Sequence, residues 1–156
     1  MLNLVTTLNK QDLYYELYQH QEIFSNEDAL VVKAKKGFSG TETKSLFLKN
    51  SSEEYFIFFT FTTKKADFKK IHQLTGKRLK IVAKNEMEKI TGQRAGAVSP
   101  IGYDSNISII IDEELFDQEK LVFAPGRPDQ TMVILAKDLL TIIDLFKNKY
   151  YIFPKE

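Results

Sequence analysis

The sequence contains no cysteine. That excludes disulfide bonds, thiolate zinc sites and a cysteine nucleophile. Imidazole is almost as scarce, with His20 and His72 the only two. So few soft ligands leave little from which to build a metal site, and neither a metal nor a cofactor is expected. No apolar run is long enough to cross a bilayer. The first residues, Met-Leu-Asn-Leu-Val-Thr-Thr-Leu, lack the basic start and cleavage site of a secretory signal, so a cytoplasmic location is the default expectation. Local enzyme signatures are missing too: there is no Gly-x-Ser-x-Gly, no Walker A sequence and no dinucleotide fingerprint. No feature supports a membrane partner or the reading of DNA.

What is present is an ordinary globular composition, 43% hydrophobic and 28% charged over 156 residues. That length suits one domain spanning residues 1–156 with one core. The net charge of +1 hides an uneven distribution. Residues 64–94 hold ten Lys or Arg against three acids, a local +7 that the rest of the chain offsets. Concentrated positive charge in a near-neutral protein is a footprint for a polyanion. The competing reading is the solvated face of a helix, which suits Lys64, Lys65, Lys69 and Lys70 at an expected helix start.

Periodicity predicts helices over residues 9–18, 28–36, 65–74, 85–91 and 136–146. It predicts strands over 43–49, 54–62, 78–83, 106–111, 120–124, 130–135 and 150–153, with 19–24 extended. Residues 43–49 and 54–62 read as a hairpin. The second of these is apolar on both faces, which predicts a buried central strand. The mixture of helices with hairpin-type connections predicts an α+β fold: a mixed, largely antiparallel curved sheet or partial barrel with helices around it.

The stretch Gly92 to Gly102 holds three of the seven glycines and one of the four prolines. A glycine at position 96 and a proline at 100 free this loop from regular structure. The amides of Ala97 and Val98 are then candidates to face an anion or a carbonyl oxygen gaining negative charge; the plainer reading is a tight surface turn. Lys44, on an otherwise apolar strand, is a candidate holder of a phosphate or carbonyl oxygen, or else a snorkelling surface lysine. Asp112, closing an isoleucine run, is a candidate to orient water or a hydroxyl, or else a cap. His20 reads as a polar residue at a strand edge.

These stretches occur in a telling order. Thr-Lys-Ser-Leu-Phe-Leu-Lys is followed by a long aromatic strand and a lysine-rich helix. Thr-Gly-Gln-Arg-Ala-Gly-Ala-Val-Ser-Pro-Ile-Gly comes next, then Ile-Asp-Glu-Glu-Leu and Gly-Arg-Pro-Asp. Over residues 10–150 the chain resembles the YbaK/ProX family of aminoacyl-tRNA deacylases, relatives of the editing domain inserted in bacterial prolyl-tRNA synthetase. Residues 41–49 most resemble its alanyl-specific branch, the prolyl-tRNA-synthetase-associated proteins, although Ser45 stands where that branch is expected to carry asparagine. Gly126 to Asp129 is closer to other branches.

The resemblance implies a mixed sheet curved around a pocket. It also implies hydrolysis of the ester joining a wrong amino acid to the 3′-terminal adenosine of a tRNA, most of all alanine on tRNA(Pro), with cysteine, serine and threonine as alternatives. By the same resemblance Lys44 helps place the terminal nucleotide and the ester, and the loop from Gly96 through Ala97, Val98 and Ser99 to Pro100 borders the carbonyl. Ser45, Asp112 and His20 fall on the substrate side, while Lys64, Lys65, Lys69, Lys70 and Arg78 would attract acceptor-stem phosphates. Aminoacyl-tRNA is the implied partner, with a synthetase as a second. A non-catalytic module of the same fold that binds tRNA or a nucleotide is the alternative.

Overall fold

The computed structural model describes residues 3–156; the first two residues of the N-terminal stretch read above lie outside them. The chain opens with helix α1 (Leu4–Lys10), followed by strand β1 (Tyr15–Gln19), helix α2 (Asn26–Lys36), the hairpin β2 (Thr41–Lys49) and β3 (Tyr55–Phe61), and helix α3 (Phe68–Thr75). Next come β4 (Lys80–Ile81), α4 (Lys84–Thr91), β5 (Ser108–Asp112), a 3-10 turn (Glu113–Asp117), β6 (Lys120–Phe123) and β7 (Gln130–Leu135). A short 3-10 turn leads into α5 (Leu139–Leu145), and β8 (Tyr150–Phe153) ends the described fold.

One sheet runs in the order β1-β7-β6-β2-β3-β5-β8, with β4 paired to β2. Among the described residues four pairings are antiparallel and three, β2–β6, β3–β5 and β5–β8, are parallel. The sheet is thus mixed with antiparallel pairs in the majority, as the sequence predicts. β3 sits between β2 and β5, and Phe56, Ile57, Phe58, Phe59 and Thr60 are all buried. A strand covered on both faces reads as a continuous apolar run, and this one does.

Strand alternation divides the core into two layers. Phe59, Ile109 and Ile111 face α1 and α5 through Leu4, Leu8, Leu139, Ile142 and Ile143. On that same face Phe47 and Ile57 meet Met87 of α4 and Val98 of the glycine loop. On the opposite face Leu48, Phe56, Phe58 and Ile110 pack on Ile71 of α3. Val122 and Val133 pack on Val32 of α2 there.

The first expected helix, residues 9–18, is not formed. Helix α1 ends at Lys10, Asp12 turns the chain at φ +53°, and residues 15–19 pair antiparallel with β7. The i, i+4 spacing of Leu13 with Leu17 and of Tyr14 with Tyr18 is a multiple of the strand period as well as nearly a helical turn. Pairing with β7 decided between the two. Three smaller differences follow from caps and edges. The extended stretch 19–24 shrinks to Gln19, the last residue of β1, so His20 lies beyond the strand. The Asp67 side chain accepts the Lys70 N–H and starts α3 there, so Lys64 and Lys65 precede the helix. Residues 78–83 yield only the two paired residues of β4.

Candidate functional site

Where β2 begins and β3 and β5 end, polar side chains replace apolar ones on the α3 face. Lys44 lies opposite Thr60 in the β2–β3 ladder. The buried Thr60 hydroxyl donates to Asp112 Oδ2 at 2.7 Å. Lys64 Nζ donates to the same oxygen at 2.9 Å and to Glu114 Oε2 at 2.9 Å. Asp112 Oδ1 accepts the Glu114 N–H at 3.1 Å, capping the 3-10 turn. Burial pulls the Lys64 ammonium pKa down, but its hydrogen bonds to Glu114 and Asp112 outweigh this and hold it above the ordinary lysine value. The Lys44 ammonium donates to the Lys64 backbone carbonyl. Lys44, Lys64 and Asp112, singled out separately in the sequence, therefore form one connected cluster.

The glycine loop lies on the other face and is braced from inside. Gly92 closes α4, and with Gly96 at φ +82° the Ala97 N–H turns back onto the Arg94 carbonyl at 3.0 Å. The Ala97 amide is therefore spent within the turn. The Val98 N–H has no partner among the described residues. Gln93, 4% exposed, accepts the Ser99 N–H at Oε1 (2.9 Å) and donates from Nε2 to the Tyr103 hydroxyl (2.7 Å). Tyr103 in turn donates to the Ser99 carbonyl at 2.6 Å, closing a ring of three. Burial pushes the Tyr103 phenol far above its usual pKa, so it stays a neutral donor. The Ser99 hydroxyl donates to the Ile101 carbonyl at 2.8 Å, and Ser99 and Pro100 are both buried.

Beside this loop opens a cleft of about 450 Å³ under the start of α1. Leu17 and Met132 give it apolar walls, and Gly92, Gln93, Gly126 and Gln130 line it with polar groups. A cleft of this size suits a nucleoside-sized ligand. Gln93 therefore faces two ways, into the loop's ring and onto the cleft.

Two faces meet where the sheet divides. The ladder between β2 and β6 covers only Thr41–Leu121 and Glu42–Val122. The Thr43 hydroxyl still donates to the Val122 carbonyl at 2.7 Å, and Lys44 and Ser45 follow. Alternation sends Ser45 to the face of the glycine loop and Lys44 to the face of α3. The structure thus does not gather Lys44 and the Ala97–Val98 amides on one face.

His20 belongs to neither place. Its Nε2 lies 2.8 Å from the Thr131 hydroxyl and its Nδ1 2.6 Å from the Gln21 carbonyl. It borders a separate cavity of about 220 Å³ with Lys35 and Lys36. Of the basic residues, Lys65, Lys69, Lys70 and Arg78 are exposed, and Lys70 meets Glu156 at 3.5 Å across open surface. Such an exposed pair is worth little and is easily given up to a phosphate. Among the described residues no three His, Asp or Glu side chains come together to hold a metal ion.

Sequence reasoning missed Gln93, Tyr103 and Gln130. A glutamine between a helix-closing glycine and an arginine carries no local pattern. Only the folded loop, which brings Ser99 and Tyr103 back to it, reveals its part.

Residues 27–142 match the family described as the aminoacyl-tRNA editing domain, a span that contains Lys44, the glycine loop, Asp112 and Gly126. The fold is shared with the crystal structure of the hypothetical protein APE2540, at TM-score 0.78 and 18% identity, covering 94% of this chain and 95% of that one. It is also shared with a candidate trans-editing enzyme for prolyl tRNA synthetase, at TM-score 0.72 and 19% identity, covering 91% of this chain and 87% of that one. With three quarters of its length accounted for, the chain belongs to the aminoacyl-tRNA editing domain family.

Proposed function

We propose that the chain hydrolyses the aminoacyl ester of tRNA(Pro) carrying a small wrong amino acid, alanine first. The family match over residues 27–142 carries this reading. The proposed site is the parting of β2 and β6, with the Lys44 cluster on one side and the glycine loop and cleft on the other. An aminoacyl ester is already activated, so positioning a water and stabilising the oxyanion suffice. In this reading the Lys44 ammonium leaves the Lys64 carbonyl to meet the ester oxygen. The ester then lies across the parting of β2 and β6, so that the Val98 N–H, on the face opposite Lys44, serves as a second donor. A ribose hydroxyl of the substrate assists, which accounts for the lack of a protein nucleophile. Ser45, Ser99 and Pro100 lie on the loop side, Asp112 fixes Lys64, and His20 stands at the far end of β1.

The acceptor stem would run over Lys64, Lys65, Lys69, Lys70 and Arg78. Neutralising Lys69, Lys70 and Arg78 together is expected to raise KM about tenfold at low salt and to flatten its salt dependence. Steady-state deacylation across a salt series measures this; an unchanged slope moves the RNA to another surface. The proposed reaction uses no metal, so a chelator is expected to leave its rate unchanged. A rate that collapses with chelator and returns with a divalent cation contradicts that.

Two observations favour a second reading, a non-catalytic tRNA-binding module. The Ala97 amide is engaged in its turn, and Lys44 is held by a backbone carbonyl. Binding of mischarged tRNA without any loss of its amino acid distinguishes this reading from the first.

A further inference from the structure

We infer that Gln93 is a positioning residue for the reaction: it ties the glycine loop to the Gly126 turn and thereby sets the shape of the cleft between them. The inference rests on the deacylase reading for its effect on rate, and on the structure alone for the tie itself. Gln93 is buried, and its side-chain amide is bonded at both ends, to the Ser99 N–H and to the Tyr103 hydroxyl. Its backbone N–H is held by the Thr91 hydroxyl at 3.1 Å. Breaking this ring would take these partners from the buried Gln93 amide and Tyr103 hydroxyl, which holds the amide in place.

The other side of the tie is steric. Gly126 sits at φ +101°, a conformation that side chains rarely adopt. A Cβ built there would lie 2.6 Å from Gln93 Oε1 and 3.2 Å from both Cδ and Cγ of the same side chain. The turn therefore rests directly on the glutamine amide. Both Gln93 and Gly126 line the cleft, so a shift of one moves its wall. Displacements of the loop carry Ser99 and the neighbouring Val98 amide with them. A carbonyl must sit within a few tenths of an ångström of its donors, so a loosened loop slows chemistry more than it weakens binding.

Two linked experiments test this. In the first, Gln93→Leu and Gln93→Glu are compared with wild type in deacylation of alanyl-tRNA(Pro), at a temperature where circular dichroism shows all three folded. Gln93→Leu keeps the volume and removes both hydrogen bonds, and a kcat lower by about tenfold with KM within about threefold is expected. Gln93→Glu keeps the acceptor for Ser99 and is expected to fall between. A wild-type kcat in folded Gln93→Leu overturns the inference.

In the second, Gly126→Ala is made in wild type and in a Gln93→Ala background, and urea midpoints are compared. Removing the glutamine side chain removes the clash but not the backbone strain, so the added methyl is expected to lower the midpoint less in the second background. Equal shifts overturn the tie. Should wild type deacylate no mischarged tRNA, the proposed function fails by itself. The midpoint comparison then decides the tie alone: unequal shifts uphold it and equal shifts remove it.

Discussion

Lys44→Ala is expected to lower deacylation by about 10²- to 10³-fold, the usual cost of removing one oxyanion donor. The substitution is a clean probe because little else depends on the side chain. Lys44 is half-buried near the start of β2, and its one hydrogen bond goes to the carbonyl of the half-buried Lys64. Losing that bond costs about 1 kcal/mol of stability, too little to unfold the chain. Lys44→Arg is not expected to rescue, since a planar fork does not place its charge where a compact ammonium does. The variant's KM is informative as well. If Lys44 acts on the developing oxyanion, kcat falls with KM nearly unchanged; a raised KM with kcat preserved would make it a binder of the terminal phosphate instead. Activity equal to wild type would remove Lys44 from the site.

Asp112→Ala is expected to destabilise the fold by about 2–4 kcal/mol. Three losses contribute. The Thr60 hydroxyl, 0% exposed, is left without its acceptor. The 3-10 turn loses its cap at Glu114. Lys64 keeps only Glu114. Lys64 is itself partly exposed, so water softens the third loss, and the first two dominate. Asp112→Asn has a single acceptor oxygen; placed at the cap it keeps the Glu114 N–H, and its NH2 group then donates to the Thr60 hydroxyl, so it is expected to cost less than alanine, about 1–2 kcal/mol. Urea unfolding of both variants measures the difference. Equal destabilisation by both would mean that the charge, not the hydrogen bonds, holds this corner together. Deacylation by Asp112→Asn adds a second reading, since a carboxylate that orients the reacting water cannot be replaced by an amide.

The sequence made much of the fold legible and less of the site. Residues 54–62 announce a buried central strand because apolar side chains occupy both faces, and β3 (Tyr55–Phe61) is that strand. β7 and β8 fall where alternation predicts them. The register of β1 was hidden because its spacing satisfies helix and strand alike, and only its partner β7 resolves it. In the site, Lys44 and Asp112 stood out as charged groups on apolar strands, and the fold joins them through Thr60 and Lys64. The glycine loop was visible through its glycines and proline, but which of its amides remain available was not. The turn that spends the Ala97 N–H depends on the Arg94 carbonyl, and the brace on Ser99 depends on a glutamine six residues away. Side-chain-to-backbone bonds of that kind leave no periodic trace. Opposite orientations of Lys44 and Ser45 follow from strand alternation, yet the loop's choice of face is set by packing of Val98 against Phe47 and Ile57.

Editing by this protein is tested most directly by deacylation of tRNA(Pro) charged separately with alanine, cysteine, serine, threonine or proline. The protein is expected to remove alanine, to leave proline in place, and to lose that activity in Lys44→Ala. Five intact aminoacyl-tRNAs, with the tRNA itself still bound, would contradict it and leave a module that recognises tRNA without editing it.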